Sequence, residues 1–162
     1  VVSSAAAANA VMLGAGYFNP LTGYMNKADA LSVANGMKTT SGLFWPTPVL
    51  NLLQDAAGIK AGDRIALKDP NVEGNPVVAI MDVDAVEEFS DADIALIAEK
   101  VYAPAAGEAH PGVDAFLEQC KFCLSCSIQL LNLSYFAASC LLWVGLKWLK
   151  LYVLMIIFVN YL

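Results

Sequence analysis

Cys120, Cys123 and Cys126 stand three residues apart in the stretch C-K-F-C-L-S-C. Thiolates at that spacing ligate iron–sulfur clusters, but a ferredoxin-type run supplies a further cysteine soon afterwards, followed by proline. Here the fourth cysteine, Cys140, comes fourteen residues later inside an apolar stretch, and no histidine stands nearby to close a zinc site. The pattern therefore argues against a metal centre. His110 is the only histidine in the chain and Arg64 the only arginine. A two-histidine metal site is excluded, and any Ser-His-Asp relay would have to run through His110 in the loop-like E-A-H-P-G. A loop hydrogen bond or docking contact is the simpler expectation for His110. Arg64, beside Asp63, reads as a surface or interdomain ion pair.

Two other motifs fail on inspection. G14-A-G-Y-F-N begins like a dinucleotide-binding loop, but Asn19 replaces the last glycine, Pro20 follows, and no strand pattern precedes it. It reads as a structural turn. Asp82, Asp84, Glu87, Glu88, Asp91 and Asp93 are dense enough to suggest a cation site, yet they lack the glycine and spacing of a calcium loop. They read as a solvated acidic edge. No catalytic, cofactor-binding or metal-ligating residue is assigned from these patterns.

The chain changes character near residue 120. Residues 1–119 hold all 15 acidic residues and carry a net charge of −9, whereas 120–162 hold no acid, three lysines and all four cysteines. An acidic, cysteine-free first part fits a reducing compartment and disfavours nucleic acid as a partner, because phosphates need clustered Lys and Arg. The first basic residue is Lys27 and Ser3–Ala10 is not a long apolar core, so no signal peptide is expected at the start. Phe122 to Leu146 contains no charge, and a 12-residue apolar run, 151–162, follows Lys147 and Lys150. A bilayer span takes roughly 20 apolar residues, so membrane contact is conceivable only through residues 122–162. Gln129, Asn132, several serines and the two lysines interrupt that stretch.

Positioning elements can be read along the first part. Ser3 or Ser4 caps a short helix running through Met12. Lys27 to Met37 reads as a helix, Leu43 to Leu53 as extended chain kept off a sheet centre by Pro46 and Pro48. Asp63–Lys68 and Val77–Val83 read as strands joined by the polar turn D69-P-N-V-E-G-N-P76 into a hairpin. Ser90 opens the clearest helix, with Asp91 and Asp93 in its first turn, Lys100 in its last, and a core stripe of Ile94, Ile97 and Val101. Pro111 begins a further short helix.

M12-L-G-A-G-Y-F-N-P-L-T-G-Y-M25 resembles the N-terminal region of ATP sulfurylase (sulfate adenylyltransferase) of the bacterial type. The likeness continues through N26-K-A-D-A-L31, T40-S-G-L-F-W-P-T-P48, G62-D-R-I-A-L-K-D-P-N-V-E-G-N-P76 and A109-H-P-G-V113. It implies an α+β fold: a PUA-like β-rich domain with peripheral helices over residues 1–119, in the cytoplasm, preceding and packing against a catalytic domain. Family members join sulfate to the α-phosphate of ATP, with Mg, or run the reaction in reverse, and are usually oligomeric. The family's Q-x-R-N-P-x-H-x-x-H and G-R-D-H motifs have no counterpart here, so no catalytic residue carries over, no cofactor is expected in this chain, and it is expected to be inactive alone.

Where the family continues with Gln-Gly-Lys and Leu-Ser-Gly-Pro-Ile-Gln, this chain has Q119-C-K-F-C-L-S-C-S-I-Q129. Cys120 and Cys126 replace expected glycines and Ser127 an expected proline. If those glycines need positive φ, the cysteines would be strained. The likeness ends at Phe136. Residues 120–136 are therefore expected to be a degraded linker toward the catalytic domain, and 137–162 an apolar, helical tail, out of frame or otherwise foreign. The alternative is a tail-anchored membrane protein using the domain as a binding module.

Overall fold

The computed structural model describes residues 1–102 and 111–131. Helix α1, Ser4–Gly14, starts where the Ser3 side chain accepts a hydrogen bond from the Ala6 amide at 3.2 Å. Its alanines Ala6, Ala7 and Ala10 are buried, because a face of methyl groups lets the helix lie close on the sheet. Helix α2, Lys27–Gly36, is capped by Asn26 and stops at Met37, which takes the left-handed conformation at φ 53°. Four strands follow in chain order with two helices between them: β1 Leu52–Leu53, β2 Arg64–Lys68, β3 Val77–Glu88, α3 Asp91–Val101, α4 Pro111–Leu117 and β4 Phe122–Leu130. The strands form one antiparallel sheet in the order β1-β4-β3-β2.

Two apolar clusters flank this sheet. The larger joins Ala6, Ala10 and Leu13 of α1 to Leu67, Met81, Val83, Leu124 and Cys126, with Tyr24 and Met25 from the intervening loop. The smaller joins Ala30 of α2, Phe89, Ile97 of α3, Phe116 of α4, Cys120 and Cys123. Ile94 and Val101 pack against this second cluster, so the stripe expected along α3 faces inward. Strand β3 runs five residues past the expected Val83, continuing through a register shift between Val83 and Ala85. Of the extended segment 43–53, only Leu52–Leu53 joins the sheet.

The largest departure from expectation is β4. The apolar run after residue 119 was expected to be linker and tail, but Phe122–Leu130 is an inner strand, paired with β3 from Ala79 to Glu88 and with β1 at its start. These nine residues are therefore removed from any membrane-spanning helix. Among the described residues, no helix is long and apolar enough to cross a membrane. The expected strain at Cys120 and Cys126 is also absent. Among the described residues, the non-glycine residues with positive φ are Met37, Ala57 and Asn75. The expected helical tail, 137–162, lies outside the described residues.

The loop between α1 and α2 closes over the edge of β4 that the short β1 leaves open. The Ile128 amide donates to the Thr22 carbonyl at 3.2 Å, and the Met25 amide to the Val49 carbonyl at 2.9 Å. A Cβ on Gly23 would overlap the Cys126 carbonyl, and one on Gly14 would fall 2.5 Å from the Leu130 Cβ. Gly23 is thus required for close approach, not for its dihedral angle. Gly23→Ala is expected to destabilise the fold by about 3 kcal/mol, read as a lowered midpoint in urea unfolding. Gly36→Ala, with open space around it, is expected to be neutral or slightly stabilising in the same measurement.

Candidate functional site

The three clustered cysteines do not converge. In a strand, residues three apart face opposite sides. Accordingly Cys126 packs in the α1 cluster, while Cys123, with Cys120 just before the strand, packs in the α3–α4 cluster. The Cys123 thiol donates to the Met25 carbonyl at 3.4 Å. Burial pushes both the Cys123 and Cys126 thiols up to about 12, which disfavours the thiolate that a nucleophilic role requires. Beside Cys126, burial also raises Tyr24, whose hydroxyl donates to the Ala6 carbonyl at 2.6 Å. These are packing groups. Cys140 and His110 lie outside the described residues, and among the described residues no three His, Cys, Asp or Glu side chains gather to hold a metal ion.

Arg64 sits on β2 opposite Asp82 of β3. Its Nε lies 3.4 Å from the Asp82 carboxylate, and its Nη2 donates to Gln129 Oε1 of β4 at 3.1 Å. Both charged side chains are more than half exposed, which makes this a surface pair spanning the sheet. The acidic run is spread over different partners. Asp82 and Asp84 are exposed, Glu87 accepts from the Lys27 amide at 2.8 Å, and Asp93 is drawn into the start of α3.

That last contact is the most organised polar feature, and the sequence reading missed it. Lys27 Nζ bonds the Asp93 carboxylate at 2.7 Å and the Glu88 carbonyl at 3.1 Å, and lies 6.0 Å from the Phe89 ring centroid. Asp93 also accepts from the Ser90 amide and hydroxyl while Ser90 caps the Asp93 amide. The capping box is legible as S90-x-x-D93, but nothing local points to Lys27, which lies sixty-odd residues away. The group ties α2 to the β3–α3 junction.

An open cleft of about 640 Å³ lies between the start of α1, the Pro48–Leu52 segment and α4. Ser3, Asn9, Leu50, Tyr102, Phe116 and Gln119 line it, and none of its described lining residues is charged. A triphosphate demands several converging cations, and this cleft offers none among the described residues.

Comparison with known proteins shows what the chain resembles. The sequence model of the PUA-like domain matches residues 1–133. The sulfate adenylyltransferase of Alcanivorax borkumensis is 59% identical over 137 residues, covering 85% of this chain and 34% of that protein. That of Allochromatium vinosum is 58% identical over 136 residues, covering 84% and 34%. The chain thus spans about a third of the length of the curated relatives it matches. Among solved structures, the hexameric APS kinase from Thiobacillus denitrificans superposes with a TM-score of 0.53 at 20% identity, over 85% of this chain and 22% of that one. This last likeness concerns the fold alone.

Two predictions follow from the side chains. Lys27, then Ser90, hold the Asp93 carboxyl at about 2 against an ordinary 3.8. A depressed folded value means the stabilisation is complete above about pH 4 and is lost as pH falls toward 2. The pair is 30% and 18% exposed, so screening limits it. Asp93→Asn is expected to cost about 1 kcal/mol at pH 7 and to flatten the loss of stability between pH 4 and 2, measured by urea unfolding at each pH. For the thiols, Cys123 and Cys126 are expected to stay unmodified by iodoacetamide at pH 8 in the folded chain. Both should become labelled in denaturant, as read by peptide mass spectrometry.

Proposed function

This chain belongs to the PUA-like domain family, and from that premise we propose that it is the N-terminal, non-catalytic domain of a sulfate adenylyltransferase. The observation that carries the reading is the 59% and 58% identity to two sulfate adenylyltransferases. Both matches run well past residue 119 in length, consistent with a domain that includes β4. The parent reaction joins ATP and sulfate into adenylyl sulfate and pyrophosphate, or reverses it. That chemistry places a weak nucleophile beside a triphosphate and needs several cations and hydrogen-bond donors around the phosphates. In the described residues Arg64 is tied to Asp82 and Lys27 to Asp93. ATP and Mg are accordingly assigned to the remaining two thirds of the parent, and the domain's role is to support it within a cytoplasmic, oligomeric enzyme.

Phe136 is read as the point after which the chain leaves the parent sequence, which makes 137–162 foreign to the domain. The test is enzymatic. The 162-residue chain is expected to form no adenylyl sulfate from ATP and sulfate. A fusion of residues 1–131 to the remaining two thirds of the Alcanivorax borkumensis relative is expected to be active. An active 162-residue chain, or an inert fusion, would contradict the reading.

A further inference from the structure

Asparagine followed directly by glycine occurs once in the chain, at Asn35-Gly36. The pair closes helix α2, whose last residue is Gly36, and both residues are exposed. An asparagine amide is lost when the next residue's backbone nitrogen attacks the side-chain carbon. A Cβ on that next residue crowds the approach, and glycine has none. Open space surrounds the position that a Gly36 Cβ would take. The other described asparagines are worse placed. Asn19 and Asn75 precede proline, which has no N–H to lose. Asn9 lies inside α1 and Asn51 is buried. The Asn26 oxygen caps the Asp29 amide at 2.8 Å, and the Asn71 side-chain amide bonds Asp69 at 3.0 Å.

Helical backbone holds the Gly36 nitrogen away from the Asn35 side chain, so attack requires the last turn of α2 to open. Three features make that turn easy to open. Asparagine and glycine are both poor helix formers. No basic side chain complements the C-terminal end of this helix. The cap, Met37, holds a left-handed φ of 53° without being glycine. We propose that Asn35 is a site of spontaneous deamidation, with water as its only co-reactant. The Gly36 nitrogen bonds to the Asn35 Cγ and gives up its proton as ammonia leaves, closing a succinimide ring. Water then opens the ring at either carbonyl, leaving aspartate or isoaspartate at position 35. No electrons are exchanged. Either product places a carboxylate at the C-terminal end of α2, where the helix dipole disfavours negative charge. Isoaspartate also adds a carbon to the main chain, which displaces Met37, whose carbonyl accepts from the Trp45 amide at 2.9 Å.

The test follows every asparagine at once. The 162-residue chain is incubated in mildly alkaline buffer at physiological temperature, folded and in urea, beside the Gly36→Ala variant. Samples taken over time are digested and read by peptide mass spectrometry, with fragmentation that separates aspartate from isoaspartate. In the folded chain Asn35 is expected to convert faster than every other asparagine and to give both products. Urea is expected to speed the reaction by removing the helical restraint, and Gly36→Ala to slow it by roughly tenfold or more. An Asn35 that converts no faster than the other asparagines of the folded chain overturns the proposal. So does a rate that Gly36→Ala leaves unchanged. Equal rates in the folded and urea-unfolded chain overturn the opening of the last turn as the controlling step.

Discussion

The carbonyl of Cys126 occupies the space that a Cβ on residue 23 would need, so the loop between α1 and α2 can close on β4 only because Gly23 has no side chain. Much of the fold depends on that closure. Strand β1 pairs with only the first two residues of β4. Beyond them the open edge is met by the Thr22 carbonyl, and Tyr24 and Met25 are carried inward to the main cluster. An inner strand must satisfy its amides and carbonyls without water. β4 does so through β3 on one edge and through β1, Asn51 and Thr22 on the other. The neighbouring Gly14 serves the same end, bringing the last turn of α1 against Leu130.

This constraint explains what the sequence did and did not disclose. Helix α3 was legible because its signals are local: Ser90 at the cap, Asp91 and Asp93 in the first turn, Ile97 on the buried stripe. The β2–β3 hairpin was legible because Arg64–Lys68 alternates between solvent and core. β4 was not. It runs between two apolar clusters, so Cys123, Leu124, Ser125 and Cys126 are buried in succession and the period of two is lost over that half, returning only at Ser127–Leu130. A stretch without alternation or charge reads as equally suited to a tail, a membrane segment or a buried strand. The extension of β3 past Val83 was hidden for a related reason, since the shift at Val83–Ala85 breaks the alternation in midstrand. The Lys27–Asp93 contact was invisible because only the folded chain brings α2 to the start of α3.

The candidate chemistry resolves in the same physical terms. Of three cysteines at a ligand-like spacing, Cys123 and Cys126 are divided between clusters by the pleat of the strand that carries those two. The lone arginine braces a sheet surface. The acidic run is shared between solvent, a helix cap and the α2 amide. Among the described residues, these polar groups serve the domain's own architecture.

The most direct measurement of this account is the sequence of the encoding DNA from codon 110 well past codon 162, translated in every frame. The account predicts that another frame continues from near Phe136 into a segment with the R-N-P-x-H-x-x-H pattern expected from the resemblance. A single confirmed frame ending in a stop after Leu162, with no such segment in any frame, would contradict it.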